Sequence, residues 1–324
     1  MLDTDGRKVY VTSPVPGYGQ SIPETMLLGH IAWWTVTNPR LTHDDVLTLV
    51  TDLGMDPAIV PKPPRGGDAF KRACRYSERK GLDIPYSDHT ANFLIRSVTQ
   101  THDDIERHLV LEIVDGDGRQ LEYHIAAHLR FERKTGTLHV GQKKISSDLD
   151  PMTDETLQLF AAKLEDATKY IDAQVIRRMI RDQLDMLHAI SVRSGGSVYF
   201  IPWREHKTTE ALEIFLTHCG NGSGFHSLPL IDDSKQREMI QAAFEVEVHE
   251  EATQLITELR HSRLQKQEMT TTAWAIYRDK LNDLQARRSE YADIVDIELL
   301  KAEAEVRALE TALTDYLTSG LIKT

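Results

Sequence analysis

Between residues 92 and 141, apolar and polar positions alternate with a period of two, which predicts strands. In QLEYHIAAHLRF, Leu121, Tyr123, Ile125, Ala127, Leu129 and Phe131 alternate with Glu122, His124, Ala126, His128 and Arg130, as in a half-buried strand. DIERHLVLEIV precedes it across the turn DGDG, and RKTG leads on into TLHVG. With NFLIRSVT in front, residues 91–149 predict an antiparallel meander of about four strands. One face is apolar and needs a helix or a second sheet to cover it.

The period changes on either side. Residues 1–90 read as mainly helical with Pro-rich breaks. LTHDDVLTLVTDLG places Thr42 as an N-cap and Gly54 at the C-terminal end. MDPAIVPKPPRGG is a loop because its prolines remove donors and keep their neighbours extended. Asp68 then caps AFKRACRYSERK, which stops at Gly81. After the meander, Leu157, Phe160, Leu164, Ala167, Ile171, Val175, Met179 and Leu187 recur at three- and four-residue spacing, as one long helix or two in tandem.

ISVRSGGSVYFIPWR follows, two short strands joined by a Ser-Gly-Gly turn. A helix over TTEALEIFLTHCG and a strand near FHSLPLI complete an α+β unit at 150–232. From residue 233 the pattern is helical. Trp274, Tyr277, Leu281, Leu284, Tyr291, Val295, Leu299, Ala302, Val306, Leu309, Leu313 and Tyr316 mark one seam, with Arg288 in the missing core place and one extra residue between Val295 and Leu299. A single helix of that extent spans about 65 to 70 Å and needs a partner helix. Residues 234–268 supply the nearest candidate, on a weaker stripe of Met239, Ala243, Val246, Ile256 and Leu259, with EMTTTAW as the bend. The expected fold is therefore α+β: N-terminal helices (1–90) with a meander (91–149), a central α+β unit (150–232) and an antiparallel coiled-coil arm (233–324).

Composition narrows the function. The chain has 324 residues, 40% hydrophobic and 27% charged, as expected of a folded globular protein. Its net charge of −12 argues against a general nucleic-acid coat, although local basic patches remain compatible with it. Cys74 and Cys219 give neither a disulfide framework nor a zinc spacing and read as buried thiols. MLDTDGRKVYVTSP lacks the build of a signal peptide, and TMLLGHIAWWTV is too short to cross a bilayer. A cytoplasmic protein with no membrane association is expected.

Three clusters could carry chemistry. In KPPRGGDAFKRACRYSERK, Lys62, Arg65, Lys71, Arg72, Arg75, Arg79 and Lys80 outnumber Asp68 and Glu78. A glycine pair before a helix N-terminus can hold an anion, and Arg72, Arg75 and Arg79 at helical spacing would form a cationic stripe. The plain alternative is a solvated helix face. With residue 110 opposite 124, His108, His124 and His128 share the polar face of the meander and would suit an open zinc site. No HExxH pattern accompanies them, and strand-face histidines are commonly just solvated. The hairpin offers Arg193 and Arg204 beside Tyr199 and Trp203, after a helix carrying IRRMIRDQ, which suggests a DNA-reading wing; against that, Val198, Phe200 and Ile201 read as core. CGNGSGF lacks a following GK[ST], and there is no nucleophile elbow.

PKPPRGGDAFKRACR, FLIRSV, RHLVLEIVDGDGRQLEY and IRDQLDMLHAISVRSGGSVYFIP together resemble an uncharacterised domain family of bacteria, phages and mobile elements, over residues 30–231 and a helical tail. The resemblance implies a defined multi-part fold in a microbial or phage setting and carries no site residue.

The expected function is non-enzymatic: an assembly or adaptor protein without a cofactor. It would form a homo-oligomer or dock a protein partner through the arm seam of Leu281, Leu284, Tyr291, Val295, Leu299, Val306, Leu309 and Leu313. The alternatives are nucleic-acid binding through residues 62–80 and 193–204, and a metal-dependent hydrolase on the histidine face.

Overall fold

A computed structural model describes residues 23–146, 148–193, 196–220 and 222–323. It is a mixed α+β protein with two antiparallel sheets and a helical C-terminal region. The first 100 residues contain β1 (Leu27–Thr35), α1 (His43–Asp52), α2 (Gly66–Tyr76), β2 (Arg79–Asp83) and β3 (Thr90–Gln100). Next come β4 (Asp104–Val114), β5 (Gln120–Glu132), β6 (Thr137–Gln142), α3 (Asp150–Lys169) and α4 (Ala173–Met186). The middle holds β7 (Ile190–Ser191), β8 (Val198–Pro202), α5 (His206–Cys219) and β9 (Gly224–Ile231). The C-terminal part holds α6 (Ser234–Leu264), β10 (Met269–Thr270), α7 (Thr271–Val295), α8 (Leu300–Thr318) and β11 (Ile322–Lys323). The chain forms two compact units. Among the described residues, one holds 23–33, Leu184–Glu210 and 226–323; the other holds Trp34–Gln183 and Ala211–Phe225.

The second unit is built on the meander, with strand order β2-β3-β4-β5-β6. Its inward positions Phe93, Leu109, Leu111, Leu129 and Phe131 are buried against Phe70, Ala73 and Cys74 of α2 and Phe160 of α3. The Phe70 ring stacks on Phe131 at 5.1 Å and meets Phe160 edge-on at 5.8 Å. Burial pushes the Cys74 and Cys219 thiols up to about 12, so both are inert at neutral pH. Thr42 opens α1 in a reciprocal capping box with Asp45, whose carboxyl these hydrogen bonds hold below its ordinary value. Helix α2 departs from the sequence reading. It is preceded by Arg65 with Asp68 inside its first turn, and it ends at Tyr76, so Arg79 and Lys80 lie on β2.

The first unit holds a sheet of order β7-β8-β1-β9. TMLLGHIAWWTV, inside the region expected to be mainly helical, contributes β1. A short, uniformly apolar run has no period to separate a buried strand from a helix. Strand β1 pairs antiparallel with β8, from Gly29 opposite Pro202 to Trp33 opposite Val198. The hairpin is therefore no projecting wing: β8 is an inner strand, with Phe200 and Ile201 fully buried.

Helices α6, α7 and α8 pack around one core that also takes in Leu28, Ile190 and Phe200. Tyr291 sits at its centre, stacked on Phe244 at 4.4 Å and edge-on to Phe200 at 6.2 Å. Helix α7 runs antiparallel to α6, placing Tyr277 against Glu258 and Arg287 against Glu251. Helix α8 runs parallel to α6, placing Glu305 against His249 and Asp315 against Arg263.

The continuous helix expected from residue 271 onward is thus two helices. Asp296 adopts a left-handed conformation (φ 52°) at the end of α7, and Arg237 donates to the Val295 carbonyl at 3.2 Å while pairing with the Asp296 carboxylate at 3.4 Å. The extra residue between Val295 and Leu299 marks the end of one helix and the start of the next. Two further seam assignments change. Arg287, not Arg288, is the buried arginine of α7. Helix α6 buries Ile240, Phe244, Val248 and Leu255, leaving Met239 and Val246 exposed.

Candidate functional site

Charged side chains concentrate where α6 and α7 meet the loop after α4. On α7, Asp283, Arg287 and Glu290 sit at four- and three-residue spacing and so share a face. Arg287 pairs with Glu247, with Glu251 at 3.1 Å and with Asp283 at 3.9 Å, its side chain only 10% exposed. His188, held at φ 52°, places Nδ1 2.7 Å from Glu290 and Nε2 3.6 Å from Asp283. Its carbonyl accepts the Tyr291 hydroxyl at 2.6 Å, and Arg204 reaches Glu290 at 2.7 Å. Burial raises the Glu251 carboxyl, opposed by the nearby Arg287. Burial also works against the Arg287 charge, but the carboxylates of Glu247, Glu251 and Asp283 outweigh it and hold its pKa above the ordinary value.

A cleft of about 730 Å³ opens beside this network, lined by Leu28, Trp203, Arg204, Arg237, Glu290 and Ile294 among others. Arg237 is spent on Asp232, with contacts of 2.6 and 2.8 Å. Glu290 pairs with both Arg204 and His188. Ion pairs therefore make up much of the charged part of the cleft wall.

In the cleft wall, the Trp203 indole stacks with two imidazoles, 4.9 Å from His30 and 5.1 Å from His206. His30 is buried with neither ring nitrogen hydrogen-bonded, and burial, helped by the His206 charge, lowers its pKa to about 4. An unfolded histidine titrates near 6.5, so the folded state binds fewer protons than the unfolded state across this window. Stability is complete above about pH 6.5 and is lost as pH falls through 4, by up to about 3 kcal/mol. Urea unfolding at pH 7 and pH 4.5 should show this slope, and His30→Phe should flatten it. Equal slopes in both proteins would exclude His30 as the source.

The structure divides the basic segment between paired and exposed side chains. Arg72 lies under the C-terminal end of α3, donating to the carbonyls of Ala167 and, at 2.9 Å, Tyr170, with Asp172 3.6 Å away. Arg79 pairs with Glu155 at 3.0 Å, and Lys71 lies 3.9 Å from Asp68. Lys62, Arg65 and Arg75 are exposed. Arg193 is exposed on its loop, while Arg204 is held by Glu205 and Glu290.

The histidines separate as well. His108 stands directly opposite His128, with rings edge-to-face at 4.4 Å. Burial and then the charges of His128 and Lys143 lower the His108 pKa. The register slips between Leu109 and Val110, where β5 carries the extra residue Ala126. Such a bulge reverses side-chain parity, so His124 falls opposite the buried Leu111 and pairs with Glu122 at 2.7 Å. Among the described residues no three His, Cys, Asp or Glu side chains converge as a metal site.

The eight seam residues of the arm, Leu281 to Leu313, are all buried within the one chain. His188 and Glu290 lie 102 residues apart, so no local signal linked them.

Fold and site together define an α+β protein whose C-terminal helices pack on one another and whose cleft beside them is lined in part by ion-paired side chains. The chain belongs to a family of unknown function, DUF6744, whose model matches residues 27–320. No curated protein and no solved structure matches it. Among the described residues no helix is long and apolar enough to cross a membrane.

Proposed function

We propose that the chain is a non-enzymatic assembly protein that pairs with a second copy of itself through the outer face of α6. The observation that supports this is an uncharged line along that helix. Met239, Val246 and Leu264 are 41%, 50% and 82% exposed, and the 7 and 18 residues between them equal about two and five helical turns. Thr253 and Thr257 lie on the same line and are exposed. Heptad-spaced, uncharged positions outside a bundle that is already closed suit a further helix laid along them in coiled-coil fashion. The ion-paired cleft wall favours a structural role over catalysis.

The mass of the full chain, by native mass spectrometry and light scattering, tests the reading. The wild-type protein should be a dimer or a multiple of one. Met239→Glu with Val246→Glu and Leu264→Glu should give a monomer with unchanged far-UV circular dichroism. A monomeric wild-type protein, or a variant of unchanged mass, overturns it.

A further inference from the structure

In the unit built on the meander, the corner where α3 ends and α4 begins holds a shallow hollow of about 250 Å³, lined by Arg40, Tyr76, Lys163, Asp166 and Tyr170 among others. Arg40 stacks on the Tyr170 ring, its guanidinium carbon 5.2 Å from the centroid, and the Lys169 ammonium lies 5.2 Å from the same centroid. One aromatic ring thus carries two cations. Arg40 also reaches Asp166 at 3.1 Å, yet its side chain stays 57% exposed and keeps donors free for another acceptor. Asp172, the other carboxylate lining the hollow, is turned to Arg72, 3.6 Å away. Among the described residues, Lys163, Lys169 and the exposed Arg75 beside Tyr76 have no ion-pair partner. Tyr76 itself is 49% exposed at the edge of the hollow, its hydroxyl donating to the Asp172 carboxylate at 3.4 Å.

This corner therefore carries uncompensated positive charge in a chain of net charge −12. Positive charge alone would suit any polyanion. The exposed Tyr76 ring adds a platform on which an unpaired base can stack, whatever its identity. Cations flanking such a platform meet the phosphates on either side. We infer that this hollow is a binding site for single-stranded nucleic acid, with Tyr76 as the stacking face and Lys163, Lys169 and Arg40 as phosphate contacts. A duplex hides its base faces and would use only the cations. The site shares no residue with the outer line of α6, so it stands or falls independently of self-assembly.

Fluorescence anisotropy of the full chain with labelled oligothymidylate and oligouridylate tests the inference, with duplex DNA and heparin as competitors. Binding should weaken with salt at a logarithmic slope of about −2 to −3, as three or four phosphate contacts to a single strand require. Lys163→Gln with Lys169→Gln should cost about tenfold or more in affinity. Tyr76→Ala, at an exposed position that does not endanger folding, should cost about tenfold for oligonucleotides and leave heparin binding unchanged. The absence of binding at about 20 mM salt, where Coulomb contacts are only weakly screened, overturns the site. Equal loss of heparin and oligonucleotide on Tyr76→Ala, or preference for duplex, overturns the single-strand assignment.

Discussion

Gly29→Ala is expected to be among the most damaging single substitutions in the chain, costing more than about 4 kcal/mol of stability. A Cβ at Gly29 would lie 2.1 Å from the Ile201 carbonyl oxygen and 2.7 Å from the Phe200 ring. The first atom is backbone of the partner strand, so no rotamer change relieves the clash. Strands β1 and β8 would have to separate at Gly29 and Pro202, disturbing the buried Leu28 and Phe200 on either side. The reason is close approach of main chains, since Gly29 is not among the glycines with positive φ. Soluble yield and the urea midpoint measure the effect. Gly116→Ala is the control: nothing lies within 4 Å of its Cβ, and a change within about 0.5 kcal/mol is expected. A Gly29→Ala protein with the wild-type midpoint would show that β1 does not pair with β8 in this register.

Arg287→Met should lower stability by about 3 kcal/mol, the lower part of the range for breaking a buried ion pair. The side chain is replaced by one of comparable reach, so most packing is kept while Glu247 and Glu251 lose their counter-charge. Those carboxylates are 29% and 32% exposed, which lets water share their charge and keeps the cost from the top of that range. A second substitution separates charge from packing. Adding Glu247→Gln and Glu251→Gln removes the unpaired charges, and the triple variant should recover most of the loss. Urea titration of both proteins at pH 7 decides it. A triple variant no more stable than Arg287→Met would mean that the guanidinium acts by packing alone.

Much of the second unit was legible because its signals are local. The period of two from Leu121 to Phe131, the DGDG turn and the Thr42 cap each depend on neighbours within a few residues. The misreadings have long-range causes. The bulge at Ala126 is invisible until β4 and β5 are paired, and it alone separates His124 from His108 and His128. Arg72 counted as a free cation until α3 brought its terminal carbonyls to it from 95 and 98 residues away. The phase slip at Val295–Leu299 was visible in the sequence, but a slip alone does not distinguish altered winding from a break. Of the inferred nucleic-acid site, ATKY at the end of α3 left only a faint mark: Lys169 and Tyr170 meet Arg40 through the fold, not through spacing.

The pairing of β1 with β8 also sets a timetable. The two strands are separated by more than 160 residues, and closing a loop of that length carries an entropic cost that no local contact offsets. At about 5 to 20 residues per second, β1 leaves the ribosome roughly ten to thirty seconds before its partner strand exists. Throughout that interval LLGHIAWW is an apolar segment with an open edge, the kind of stretch that chaperones hold and that aggregates when they do not. Long-range pairing of this kind is intrinsically slow, and the order of synthesis leaves this strand waiting longest for its partner.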